Sequence, residues 1–399
     1  MSRRGKESVF NIEVEGGHLD TTVVDHVKLV RNLSSLRFEG RIHEQILSAI
    51  RRAGGAVEWT DLYVVHTGYD HTPAGQERKR ERDLRLLHLD LQERPGHPFA
   101  LFNLGMTYTD LRRYSEGADF LRQCLRAADP GESHVRKAYA LLVFSLMQME
   151  RPEEALTECD RALGLFPEDL ELTFRRALLF QRIGRKTEAI GLYQTILTHS
   201  GPRHFTSVDR SIGGYKARQN LAVLHAELGH WDRALEQWKL ITDEVPEYRL
   251  GWRGYGEQLL QLEKIDHATA LSDHLIKQPR DAIRSEGWLL RGRIRIRCGD
   301  RPAARAAWEQ AVSSDPHDAE PHRELARVAY AAGEWASAES SLRAAAALDV
   351  ADARVWHNLG ATLLNLKRDS EAADALRESL RLRVGCVETE ELLRVASGG

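Results

Sequence analysis

Cysteine is scarce in this chain: 399 residues hold four, Cys124, Cys159, Cys298 and Cys386, and no two form a C-x-x-C pair. That excludes a disulfide-stapled fold and a thiolate metal knuckle, and leaves buried free thiols in a reducing compartment. Long apolar runs are missing too. Residues 1–17 lack the apolar stretch of a secretory leader, and nothing approaches the roughly 20 residues that span a bilayer, so we expect no membrane span and a cytoplasmic location. Charge of one sign is absent as well: the net of −3 argues against a general nucleic-acid binder. Neither G-x-x-x-x-G-K-[ST] nor H-E-x-x-H occurs, and Gly254-Tyr255-Gly256 sits where a repeat glycine would, not in a dinucleotide loop. With 42% apolar and 29% charged residues, what remains is a soluble globular chain of one or two domains.

What is present is a period. Between Asp352 and Arg383, Trp356, Leu359 and Gly360 fall on one helical pattern, and Ala372, Leu376 and Ser379 on a second. A small residue recurs at Gly117, Ala155, Ala189, Ala234, Ala268, Ala304, Ala338 and Ala372, in steps of 38, 34, 45, 34, 36, 34 and 34 residues. Aromatic Trp252, Trp288 and Trp356 fall in the fourth slot of their repeats, and Gly105, Gly256, Gly292 and Gly360 in the eighth. Pro130, Pro167, Pro202, Pro246 and Pro316 stand near repeat ends, where a residue that cannot continue a helix is useful. This spacing resembles the tetratricopeptide repeat, a helix–turn–helix unit of about 34 residues whose helices cross at a small side chain. We therefore expect eight repeats over residues 98–386, coiled into one superhelical solenoid, and a capping helix and tail over 387–399. The segment His199 to Tyr215 adds the 11 residues that stretch one step to 45, read either as a functional edge loop or as a lengthened connection.

Residues 1–97 follow another rhythm. Asn11–Val14, Val27–Val30 and Thr60–Val65 read as strands, Ile42 to Ile50 as a helix stopped by Gly54-Gly55, and Gln76 to Glu93 as a helix striped by Leu84, Leu87 and Leu91. This α/β piece has too few strands to cover both faces of a sheet and looks incomplete. Seven of the 17 histidines fall in it. Glu44, beside His43 in the first turn of the expected helix, would be kept ionised by the macrodipole and could accept a proton. His66, at the carboxyl end of a strand, is placed where open α/β sheets gather ligands. The plainer readings are a helix-start carboxylate and an edge histidine.

Residues 24–32 (VDHVKLVRN), 38–45 (FEGRIHEQ), 65–69 (VHTGY) and 79–87 (KRERDLRLL) resemble the C-terminal part of bacterial family 2 glycosyltransferases. The likeness is to the S-glycosyltransferase-like subgroup fused to tetratricopeptide repeats, and it covers roughly residues 20–105. It implies a partial GT-A region, with Glu44 as candidate base of an inverting sugar transfer, His43 beside it, and His66 as a nucleotide or metal contact. A divalent Mn or Mg would hold the sugar nucleotide in the intact enzyme. The D-x-D motif that binds that metal occurs nowhere in the chain, and the nucleotide-binding strands expected before Val24 are missing. The resemblance thus implies either an interaction scaffold with a transferase remnant, inactive alone and free of cofactor, or the acceptor-side half of an enzyme completed elsewhere.

In the repeat frame the first helices line a groove. Phe99, Phe102, Met106, Phe174 and Leu178 make it apolar early; Arg253, Arg293, Arg297, Arg323, Arg327 and Arg354 make it basic late. Arginine forks suit carboxylates, so an acidic peptide or chain terminus fits the late groove. The alternative is that these arginines pair with Glu257, Glu286 and Glu320.

Overall fold

The computed structural model describes residues 6–16, 20–42, 45–65, 72–199 and 208–398, most of them helical. They divide into two compact units, Met1–His230 and Trp231–Gly399. The division does not fall at residue 97, because the N-terminal sheet and the first repeats belong to one unit.

The first unit opens with strands β1 (Lys6–Gly16) and β2 (Asp20–Leu29), paired antiparallel. Helix α1 (Leu47–Arg52) lies in the crossover to β3 (Ala56–Val65), which runs parallel to β1. Val27, Ile46, Leu47, Ala49 and Ile50 form its small core. The helix stops at Gly54, which takes a left-handed φ of 67°. It starts later than its apolar pattern suggested: the backbones of Glu39 and Gln45 bond each other in both directions at 2.9 Å, closing a loop where the first turn was expected. Helix α2 (Pro73–Glu93) begins with Thr72 accepting a hydrogen bond from the Gly75 amide at 3.1 Å and Pro73 in the first turn. Its Leu87 packs against Leu104 and Tyr108 of the first repeat.

Helix pairs α3 (Pro98–Asp110) and α4 (Tyr114–Ala127), α5 (Val135–Gln148) and α6 (Pro152–Leu165), and α7 (Leu170–Arg182) and α8 (Lys186–Thr198) follow. The insertion is more than a loop. Val208–Asp209 adds a short strand, β4, beside β2, giving the order β3-β1-β2-β4. Ile212, in the 3₁₀ turn after it, is buried with Tyr193, Ala217 and Leu221. Helix α9 (Tyr215–Glu227) completes the unit.

The second unit contains α10 (Trp231–Glu244), then pairs α11 (Arg249–Gln261) and α12 (Ile265–Ile276), α13 (Asp281–Arg297) and α14 (Arg301–Ser314), α15 (Ala319–Ala331) and α16 (Trp335–Leu348), and α17 (Ala353–Asn365) and α18 (Asp369–Leu382). Helix α19 (Val387–Ala396) packs on α18, setting Leu392 and Leu393 against its core.

Each repeat turns at the same position through a left-handed residue with φ between 55° and 83°. Gly184, Gly229, Gly299 and Gly333 fill it in four repeats; Arg112, Glu150, Glu263 and Lys367 fill it in the others, at about 1 kcal/mol of strain each. The crossing alanines Ala155, Ala189, Ala234, Ala268, Ala304, Ala338 and Ala372 are all fully buried. Replacing Ala338 by Trp should overpack its crossing and lower stability by about 1–3 kcal/mol. An unchanged thermal melting curve would remove the register from consideration.

Cys124 and Cys159 are buried among repeat helices, where burial pushes each thiol up to about 12. Cys298 is exposed and free. Among the described residues no helix is long and apolar enough to cross a membrane.

Candidate functional site

In the second unit, the first helices of successive repeats carry arginines at the positions expected to face the groove. The side chains around them change its charge. Arg253 donates to Glu286 Oε2 at 2.9 Å and Oε1 at 2.6 Å, and to Asp318 Oδ2 at 2.8 Å. Arg293 donates to Glu324 at 2.9 Å and also to Glu257 and Glu320. Arg323 bonds Glu320 at 2.8 Å and Asp352 at 2.9 Å. The groove expected to be basic is therefore largely neutralised along α11, α13 and α15. Burial alone would lower the Arg253 pKa, but its bond to Glu286 and the nearby carboxylates hold it above the ordinary guanidinium value.

Three of the six groove arginines stand apart. Arg327 bonds Glu324 at 3.0 Å with its side chain 58% exposed. Arg354 is 80% exposed, and its Nε lies 3.6 Å from Asp352, too far for a hydrogen bond. Arg297 is exposed and meets no carboxylate among the described residues. Arg327 and Arg354 line a cavity of about 570 Å³ with Tyr330, His357, Asn358 and Leu392, from α15, α17 and α19. Its wall is fixed at two points: His357 Nδ1 meets Thr389 Oγ1 at 2.9 Å, and Asn365 donates to the Tyr330 hydroxyl at 3.3 Å. Arg297 and Arg327 also line an adjoining shallow recess of about 370 Å³.

Sequence reasoning missed Arg249, which donates to Glu286 at 2.9 Å, Asp315 at 2.8 Å and Asp318 at 2.5 Å. It also missed the caps. Asp318 and Asp352 each cap a first helix, accepting from the amides of Glu320 at 3.1 Å and Arg354 at 2.9 Å; Asp318 also holds Arg249 and Arg253 from two repeats earlier, and Asp352 holds Arg323 of the preceding repeat. The available signal was D-x-x-D at two repeat joints, Asp315 to Asp318 and Asp349 to Asp352.

The early groove is not an open apolar surface. Phe102 is buried, Phe99, Met106 and Leu178 pack against the first unit's core, and Phe174 meets the Tyr193 ring edge-on at 5.5 Å. His43, Glu44 and His66 lie outside the described residues. Because α1 begins at Leu47, the helix expected to place Glu44 in its first turn does not reach that far back. Among the described residues no three His, Cys, Asp or Glu side chains cluster to hold a metal, and D-x-D does not occur in the sequence.

Comparisons with known proteins bear on the repeats. Profiles of the tetratricopeptide repeat match residues 100–129, 142–203, 299–363 and 353–383. No glycosyltransferase family 2 profile matches. No curated protein matches the chain. Similar solved structures include a tetratricopeptide repeat protein from Parabacteroides merdae ATCC 43184, 17% identical, with TM-score 0.43, over 66% of this chain and 99% of that one. YrrB, a TPR protein with an unusual peptide-binding site, is 23% identical with TM-score 0.35, over 44% of this chain and 83% of its own. TTC0263, a thermophilic TPR protein of Thermus thermophilus, is 22% identical with TM-score 0.35, over 46% of this chain and 99% of its own.

Proposed function

Because the chain carries tetratricopeptide repeats, we propose that it is a protein-interaction scaffold whose groove over α15, α17 and α19 holds an acidic peptide. The observation behind this reading is the division among the arginines. Arg253, Arg293 and Arg323 are spent on neighbouring carboxylates, whereas Arg327 and Arg354 present exposed guanidinium groups to one cavity and Arg297 adjoins it. A carboxylate entering there gains charge-assisted bonds, and Tyr330 and Leu392 offer apolar contact for the flanking side chains. The held arginines stiffen the floor, so little ordering is required on binding.

The test is a fluorescence-anisotropy screen with an acidic peptide library against the full chain and an Arg297→Glu, Arg327→Glu, Arg354→Glu variant. Captured peptides should lose tenfold or more in affinity, about the worth of one charge-assisted bond, and binding should weaken with salt. A variant that binds every wild-type peptide equally well would end this reading. The transferase reading rests on the resemblance of residues 20–105, and no part of this proposal depends on it.

A further inference from the structure

A second cavity, of about 310 Å³, lies in the first unit where α1, the end of α2 and the starts of α3 and α5 meet. Its lining includes Arg51, Arg94, His97, Glu132 and His134. The hydrogen bonding there is incomplete in a way that specifies a ligand. Arg94 is fixed by Asp90, which accepts from its Nε at 3.0 Å and also from Nη2. Its Nη1 faces His97 Nε2 at 3.3 Å. His97 Nδ1 accepts the Ala100 amide at 3.4 Å as the cap of α3, so in the neutral ring Nε2 carries the proton. Two N–H donors therefore converge with no acceptor between them.

One further ring nitrogen is unpartnered: His134 is 5% exposed and its Nε2 makes no hydrogen bond, while Glu132 Oε2, 3.4 Å away and also unbonded, is an acceptor and offers an anion nothing. Arg51 reaches the Gly131 carbonyl at 3.4 Å and, though its charge is felt by Glu132, forms no salt bridge among the described residues. We propose that this cavity binds a small oxyanion, a phosphate or carboxylate group, seated between Arg94 Nη1 and His97 Nε2 and neutralised by Arg51. Of the two acidic residues on the lining, Glu39 is engaged by Arg52. Burial, then the charge of Asp129, raises the Glu132 pKa, and the charge of Arg51 opposes the rise. Burial, reinforced by Arg94, lowers the His97 pKa and so disfavours the doubly protonated ring that could not cap α3.

Titration calorimetry of the full chain with inorganic phosphate, and separately with succinate, tests the assignment. A saturable one-site isotherm is expected with at least one anion; tighter phosphate binding would identify a phosphorylated ligand, tighter succinate binding a carboxylate. His97→Asn keeps a side-chain acceptor for the α3 cap but removes the Nε2 donor, and Arg51→Gln removes an exposed charge. Each should weaken binding about tenfold or more while leaving the anion-free melting curve unchanged. The assignment is overturned if neither anion binds wild type at millimolar concentration, or if both variants bind as tightly as wild type.

Discussion

Glu171→Gln is expected to lower the unfolding free energy of the first unit by about 3–5 kcal/mol. Glu171, at the start of α7, is almost fully buried and gathers three cations: Lys137 at 3.0 Å, Arg175 at 2.8 Å and Arg136 at 3.2 Å. Arg136 retains Asp169 at 3.0 Å, but Lys137 and Arg175 would keep charges in a poorly hydrated site without a counter-ion. Burial alone would raise the Glu171 pKa; the surrounding cations outweigh it and hold the carboxyl well below the usual range. Since the folded pKa is depressed, this stabilisation is complete above the ordinary glutamate range and disappears as pH falls through the depressed folded value. The variant should lose that part of the acid sensitivity. Urea unfolding followed by far-ultraviolet circular dichroism reads the change. Tryptophan fluorescence is a poorer probe, because seven of eight tryptophans lie beyond residue 230. A loss below about 1 kcal/mol would show that the cluster is hydrated enough to dispense with its central carboxylate.

The repeats were legible because packing imposes their marks. Ala155 and Ala372 are small since a neighbouring helix lies against each, and the eighth-slot glycines Gly105, Gly292 and Gly360 answer to bulk on their own second helix. A Cβ on Gly105 would sit 2.6 Å from Leu121, and one on Gly360 would sit 2.5 Å from Leu376. Such constraints act within one repeat and recur, so the sequence displays them several times. The start of α1 and the pairing of β4 with β2 are single events. The first is decided by a backbone bridge that any side chains permit, the second by contacts between residues 22–23 and 208–209.

The site was less legible than the fold for a related reason. Slot positions identified the groove arginines, but whether a guanidinium is spent depends on carboxylates one or two repeats away. Arg253 and Arg354 read alike in sequence; Glu286 and Asp318 hold the first, while the second meets only Asp352 at 3.6 Å. The mismatched donors at Arg94 and His97 had no sequence signal, because the mismatch appears only once His97 caps α3.

Trp308→Ala should cost the second unit about 3–5 kcal/mol. Among the described residues Trp308 is the largest fully buried side chain, packed with Leu289, Ala304 and Val328, and its indole Nε1 donates to the Leu289 carbonyl at 3.1 Å. Space for it comes from Gly292, where an added Cβ would lie 2.2 Å from Nε1. Truncation removes the ring's burial, leaves a cavity between α13 and α14, and strips the carbonyl of a partner. Leucine fills the equivalent slot at Leu121 and Leu376, opposite Gly105 and Gly360, so Trp308→Leu should be milder than Trp308→Ala. Denaturant midpoints by circular dichroism for the two variants decide the matter. If Trp308→Ala cost less than about 1 kcal/mol, or Trp308→Leu proved the more damaging, the ring would not be filling the space that glycine leaves.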